Sequence, residues 1–280
     1  MTTQTEPLVL QARAKAGIDE VRQALTDPKA LNLWLSEHSN VDLPGTFEFW
    51  GRSIPEGDAP HQRVVGYDGS TLTLAWTLGG EETTTEITLT PDADDATVLK
   101  LSQTHFDFAD AISGANIRGV LQTFWSLALA NLVDHLEGRE LTTRPDFTSP
   151  VFEGEALIDA PIEQVYSSLT ESEKASAWFG YPVGIDARKG GRFAMGGFDV
   201  NPGVEIIDLV EGRKMSTDWG PAGISTWELA ESDGKTRLTF VMSGFDESNP
   251  PYGAWLGWLS GIASLRRFNE QKNWQSIWVA

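Results

Sequence analysis

The chain has 280 residues, with 40 acidic against 21 basic side chains and a net charge of -19. That balance argues against phosphate-neutralising nucleic-acid binding and against docking on an anionic membrane surface. The absence of cysteine removes disulfides, thiol nucleophiles and cysteine-ligated zinc, while 11 Trp and 13 Phe against 4 His point to an aromatic-rich globular binding protein.

The opening Met1–Pro7 is polar and carries no basic segment followed by an apolar run. The longest uncharged stretch, Ser248–Leu265, is interrupted by Asn249, Pro250 and Pro251 and reads poorly as a membrane span. The expected location is the cytoplasm, without membrane insertion. A strand over Leu8–Lys15 comes first, followed by a short helix from Ile18 and a second one after Thr26-Asp27-Pro28 that ends at Trp34. Period-two segments follow at Arg63–Tyr67, Thr71–Trp76, Thr83–Leu89 and Val98–Phe106, with Asp68-Gly69 as a hairpin signal. A long apolar helix over Ile112–Leu136 closes this set, and the polar stretch Arg139–Pro150 reads as a linker.

The order then recurs. A strand over Val151–Ile158 leads to a helix from Ile162, with Asp159 expected to cap it and Pro161 suited to its first turn. A second helix after Thr170-Glu171-Ser172 ends at Trp178. Strands are expected at Val204–Val210, Lys214–Trp219, Ser225–Leu229 and Thr236–Met242, and a closing helix over Tyr252–Asn273. At a constant offset of 144, Ala16, Ile18, Val21, Leu25, Thr26 and Trp34 meet Ala160, Ile162, Val165, Leu169, Thr170 and Trp178. The expected fold class is therefore α+β. It comprises two tandem domains, residues 1–140 and 151–280, joined by a linker over 141–150. Each is a curved antiparallel sheet wrapped around a long C-terminal helix, with two short helices after the first strand.

The run "APIEQVYSSLTESEKASAWFG", then "KGGRFAMGG", then the terminal "GWLSGIASL" helix resembles the START-like helix-grip (SRPBCC) superfamily. Within it the similarity is to the family named for the activator of the heat-shock-protein-90 ATPase. The second copy matches better; in the first, Leu43-Pro44-Gly45 stands where the second has its Lys-Gly-Gly. The resemblance implies helix-grip domains with a cleft between sheet and helix. Superfamily members include lipid carriers, polyketide cyclases and hormone receptors, so fold alone leaves function open.

Aromatic side chains suit a cavity for an apolar or amphipathic molecule. The candidate ligand-binding residues are Trp178, Phe193, Trp219, Tyr252, Trp255 and Trp258 in the second copy, and Trp76, His105 and Trp125 in the first. No catalytic residue, cofactor or metal site is expected: His38, His61, His105 and His135 are scattered, and no nucleophile motif is present. The favoured function is non-enzymatic binding of a small apolar or amphipathic ligand. Two alternatives stay open. One is a cyclase-, dehydratase- or hydrolase-type enzyme using a cavity histidine or a carboxylate such as Asp218 or Glu228; the other is a protein-interaction module with filled cores. The first closing helix is apolar around more than one face, so Phe124 or Leu127 is expected to be covered from outside its own domain, by the sister repeat or a homodimer partner.

Overall fold

A computed structural model describes residues 6–93, 95–104 and 116–279. They form two compact units: unit 1 runs to Thr148 and includes the residues from Ile277 onward, and unit 2 is Ser149–Ser276.

Unit 1 contains β1 (Leu8–Ala14), α1 (Ile18–Thr26), α2 (Pro28–Trp34), β2 (His38–Asp42), β3 (Thr46–Trp50), β4 (Gln62–Tyr67), β5 (Thr71–Leu78), β6 (Glu81–Asp92), β7 (Ala96–Gln103) and, after a 3-10 turn at Ile117–Val120, α3 (Leu121–Leu136). Five strands make an antiparallel sheet in the order β1-β7-β6-β5-β4, and β2 and β3 form a separate hairpin. Alternation turns one face of the sheet inward: Leu72, Leu74, Trp76 and Leu78 of β5, Thr83, Thr85, Ile87 and Leu89 of β6, and Thr97, Leu99, Leu101 and Gln103 of β7 are all buried.

Asp27 caps α2 by accepting from the Lys29 amide at 2.9 Å, with Pro28 in the first helical position. The Trp34 indole then donates to the Ala24 carbonyl at 3.0 Å, tying α2 back to α1. Thr97 Oγ1 donates to the Ala16 carbonyl at 2.9 Å, fixing β7 beneath the turn before α1. Helix α3 buries side chains from Leu121 to Asp134 around most of its circumference. The Phe124 ring lies 5.7 Å from Trp76 and 5.0 Å from Trp125 of the same unit. The stretch after α3 runs hydrogen-bonded along unit 1. Asn131 and Thr142 exchange two bonds of 3.0 and 2.9 Å, Arg144 Nη1 donates to the Ser36 carbonyl at 2.8 Å, and the Phe147 amide donates to the Arg52 carbonyl at 2.8 Å.

Unit 2 contains β8 (Phe152–Ile158), α4 (Ile162–Thr170), α5 (Ser172–Phe179), β9 (Val183–Ile185), β10 (Arg192–Met195), β11 (Val204–Val210), β12 (Lys214–Asp218), β13 (Ile224–Ser232), β14 (Lys235–Ser243) and α6 (Tyr252–Glu270). Its seven strands form one antiparallel sheet in the order β8-β14-β13-β12-β11-β10-β9, mixed α+β with the long helix at its end. The Trp178 indole donates to the Ser168 carbonyl at 2.8 Å, and Thr236 Oγ1 donates to the Ala160 carbonyl at 2.7 Å. Gly261 lets α6 approach the corner closely: a Cβ there would lie 3.3 Å from the Trp178 ring.

Two local expectations need correction. Pro161, not Asp159, occupies the N-cap of α4 and no side chain caps it; the Asp159 carboxylate instead lies 3.6 Å from Lys235 Nζ. Helix α6 stops at Glu270 because Gln271 is extended. The short strands β2, β3, β9 and β10 also lie outside the period-two segments read from the sequence.

Replacing Trp178 by Phe keeps an aromatic ring and removes the donor to the Ser168 carbonyl. A loss of about 1–3 kcal/mol is expected. It should appear as a lower urea midpoint with an unchanged denaturant slope, and Trp34→Phe should behave alike.

Candidate ligand site

In unit 2 the aromatic side chains form a continuous row between sheet and helix. At one end Trp219 half-emerges from the surface, 5.7 Å from Phe193 and 5.4 Å from Trp258. Trp258 on α6 also meets Trp227 at 5.6 Å and Phe240 at 5.4 Å. Phe240 leads to Phe152 at 5.8 Å, Phe152 stacks on Trp255 at 4.9 Å, and Trp255 meets Phe245 and Tyr252 at 5.4 and 5.1 Å. Tyr252 and Phe245 are half-buried, so the row is partly open at both ends.

Of the residues singled out from sequence, Phe193, Trp219 and Trp258 are therefore brought together. Trp178 joins them through Phe179, which stacks on it at 3.8 Å and lies 6.2 Å from Trp258. Tyr252 and Trp255 belong to the other end. Steps of three residues on α6 turn Tyr252, Trp255 and Trp258 progressively around the helix, so they do not share one wall.

Sequence reading missed Phe179 and Tyr181, although both flank the repeated tryptophan. Gly180, at φ 79°, ends α5 in the left-handed conformation that glycine favours. It turns the chain so that Tyr181 lies 5.4 Å from Phe179. The Tyr181 hydroxyl donates to Met195 Sδ at 2.8 Å. Burial of this end of the side chain pushes the phenol up to about 12 although the residue as a whole is 43% exposed. At neutral pH it is a donor, not a base.

In unit 1 the rings of Phe49, Trp76 and Trp125 are buried. Trp76 lies 5.3 Å from Phe49 and 5.9 Å from Trp125, and the Trp125 indole donates to Gln103 Oε1 at 3.1 Å. Thr85 donates to the same oxygen at 2.6 Å. His105 and Phe106 lie outside the described residues. Two indole donors, Trp76 Nε1 and Trp255 Nε1, are buried without a hydrogen-bond partner, a condition that costs about 1–3 kcal/mol each. The candidate carboxylates face outward: Asp218 accepts from the Gly220 amide at 2.8 Å, and Glu228 is exposed beside Lys214. His61 sits at the surface 3.4 Å from Asp58. Among the described residues no group of three or more His, Asp and Glu is gathered for a metal ion, and no helix is long and apolar enough to cross a membrane.

Residues 159–268, within unit 2, match the family model described as Activator of Hsp90 ATPase homolog 1-like protein. The mouse (Mus musculus) "Activator of 90 kDa heat shock protein ATPase homolog 2" is 36% identical over 63 residues, which is 22% of this chain and 18% of that protein. The chain thus matches less than a fifth of that relative's length. The two sequence matches support the START-like, activator-of-Hsp90-ATPase-like class for this segment. Among solved structures, CalU16 from Micromonospora echinospora is 23% identical, covering 48% of this chain and 76% of its own, with a TM-score of 0.38. DynU16, described as a putative protein in the dynemicin biosynthetic locus, is 18% identical, covering 93% of this chain and 98% of its own, with a TM-score of 0.39.

The raised phenol sets a pH window. The folded state holds the Tyr181 proton up to about 12, whereas an unfolded chain releases it near 10.0. Its contribution to stability is complete below the lower value and is lost as pH rises toward the higher one. Thermal melting across that interval should show Tyr181→Phe declining less steeply than the parent.

Proposed function

We propose that the chain is a tandem pair of helix-grip domains, one in each unit, and that it binds a small apolar or amphipathic molecule without catalysing a reaction. The observation that carries the binding reading is the half-buried Trp219 standing over the buried Phe193 and Trp258, beside Phe179 and Tyr181. This wall is apolar, with one protonated hydroxyl, and no carboxylate or histidine converges on it from the residues named above. The match of residues 159–268 supports a sheet–helix cleft at this place. The tandem reading is supported by equivalent bonds in the two units: Trp34 to Ala24 and Trp178 to Ser168, and Thr97 to Ala16 and Thr236 to Ala160.

One observation favours the filled-core alternative: Trp258 is already surrounded by the rings of Phe179, Trp219, Trp227 and Phe240. Native mass spectrometry of freshly purified protein and titration with the neutral fluorophore N-phenyl-1-naphthylamine separate the two readings. The binding reading expects saturable uptake. Trp219→Ala should weaken it by about tenfold or more, since an indole buries roughly 100 Å² against a ligand at about 25 cal/mol per Å². Trp258→Ala should weaken it too, but its buried ring costs about 3–5 kcal/mol of stability, so melting must accompany the titration. Folded protein that takes up neither a co-purified molecule nor the probe leaves the filled-core module as the reading.

A further inference from the structure

Unit 1 holds a cavity of about 420 Å³ between the start of β2, the end of β3, the loop over residues 51–58 and the stretch at Phe147 and Thr148. None of its lining residues belongs to the five-stranded sheet or to α3, so it is separate from a sheet–helix cleft. The β2–β3 register sets His38 opposite Trp50, with ring centroids 5.5 Å apart, and this pair forms an aromatic wall. The loop is closed on itself. The Gly51 amide donates to the Gly57 carbonyl at 2.9 Å and the Ile54 amide to the Gly51 carbonyl at 3.0 Å, while Ser53, Ile54 and Pro55 are buried beneath it.

The charges on the wall are unequal. Glu37 Oε1 accepts from Arg52 Nε and Nη2 at 3.0 and 2.7 Å, and Oε2 accepts from the Arg52 amide at 3.0 Å. Arg52 Nη1 also lies 3.5 Å from Asp146 Oδ2. The guanidinium is thus engaged by two carboxylates and is not left to attract an anion. Glu56 and Asp58 are different: both are exposed, and among the described residues neither meets a Lys or Arg. Glu56 is held in place by the Gly79 amide, which donates to its Oε2 at 2.9 Å, and Asp58 has only His61 at 3.4 Å. No third ligand joins the two carboxylates for a metal ion among the described residues. Two unmatched negative charges beside an indole suit a positive group carried on an apolar body, since the face of a Trp ring attracts cations. The net charge of -19 adds a field that draws cations toward the chain. We propose that this cavity binds a small organic cation, with its ammonium group between Glu56 and Asp58 and its apolar body on Trp50.

Isothermal titration calorimetry at pH 8, where an imidazole is ordinarily neutral, tests this with three probes of similar size. They are 2-phenylethylammonium, the neutral 2-phenylethanol and the anionic 3-phenylpropanoate. The ammonium should bind saturably, the alcohol at least about tenfold more weakly, and the anion not at all. Glu56→Gln keeps an oxygen for the Gly79 amide while removing the charge, and Asp58→Asn alters an exposed side chain. The double variant should therefore stay folded and bind the ammonium about five- to tenfold more weakly. Trp50→Leu should weaken it about three- to tenfold; if that variant does not fold, the double variant decides alone. Trp219→Ala, in unit 2, should leave ammonium binding unchanged. Absence of ammonium binding, equal binding of the three probes, or unchanged ammonium affinity in the double variant overturns the proposal. So does loss of ammonium binding in Trp219→Ala, which would put the probe in unit 2.

Discussion

The buried bond from the Trp178 indole to the Ser168 carbonyl fixes α4 and α5 as a corner, and the aromatic row of unit 2 is laid out from that corner. With the indole held, Phe179 stacks on its face and reaches toward Trp258. Gly180 stops the helix in a conformation that returns the chain toward the row. Gly261 completes the arrangement by giving the Trp178 ring room against α6. A side chain at position 261 would force the ring or the helix to move by a few tenths of an ångström. The displacement would pass to Phe179 and Trp258 because interiors are packed too densely to absorb it.

The inward faces of both sheets mix apolar rings with hydroxyl and amide groups, and these polar groups are matched locally. Thr83 donates to the Trp76 carbonyl, Thr85 to Gln103, and the Trp219 indole to Ser225. A buried polar pair of this kind costs little when both partners are present and much when one is lost. It also specifies registry more sharply than apolar contact alone. Gln103 illustrates this: its side-chain oxygen accepts from Thr85 on the neighbouring strand and from Trp125 on the helix, so one residue sets the position of α3 against the sheet.

The fold was legible where the pattern was long. Alternation over Thr71–Trp76 and Thr236–Met242, the repeated tryptophan and the apolar closing helices each left a periodic signal in the chain. Strands of three to five residues such as β9 and β10 left none, because their pairing depends on neighbours distant in sequence. The aromatic membership of the candidate site was partly legible. Trp219, Phe193 and Trp258 could be named, but their division from Tyr252 and Trp255 could not, since it depends on how α6 is rotated over the sheet. Phe179 and Tyr181 were written beside Trp178 throughout; what the chain did not advertise was the left-handed turn at Gly180 that brings them to the wall. The pairing of Ile277–Val279 with β1 joins residues more than 260 positions apart, a separation at which periodicity carries no information.

The ring row has an optical consequence. Trp219 and Trp227 lie 5.4 and 5.6 Å from Trp258 at inclined angles of 58° and 83°, close enough and skewed enough for their indole transitions to mix. Such a trio produces paired bands of opposite sign in circular dichroism that single chromophores lack. The sign pattern depends on the handedness with which the three rings are arranged. The chain therefore carries a built-in, label-free gauge of ring geometry, and any molecule that pried these indoles apart would announce itself by collapsing the couplet while leaving the backbone spectrum in place.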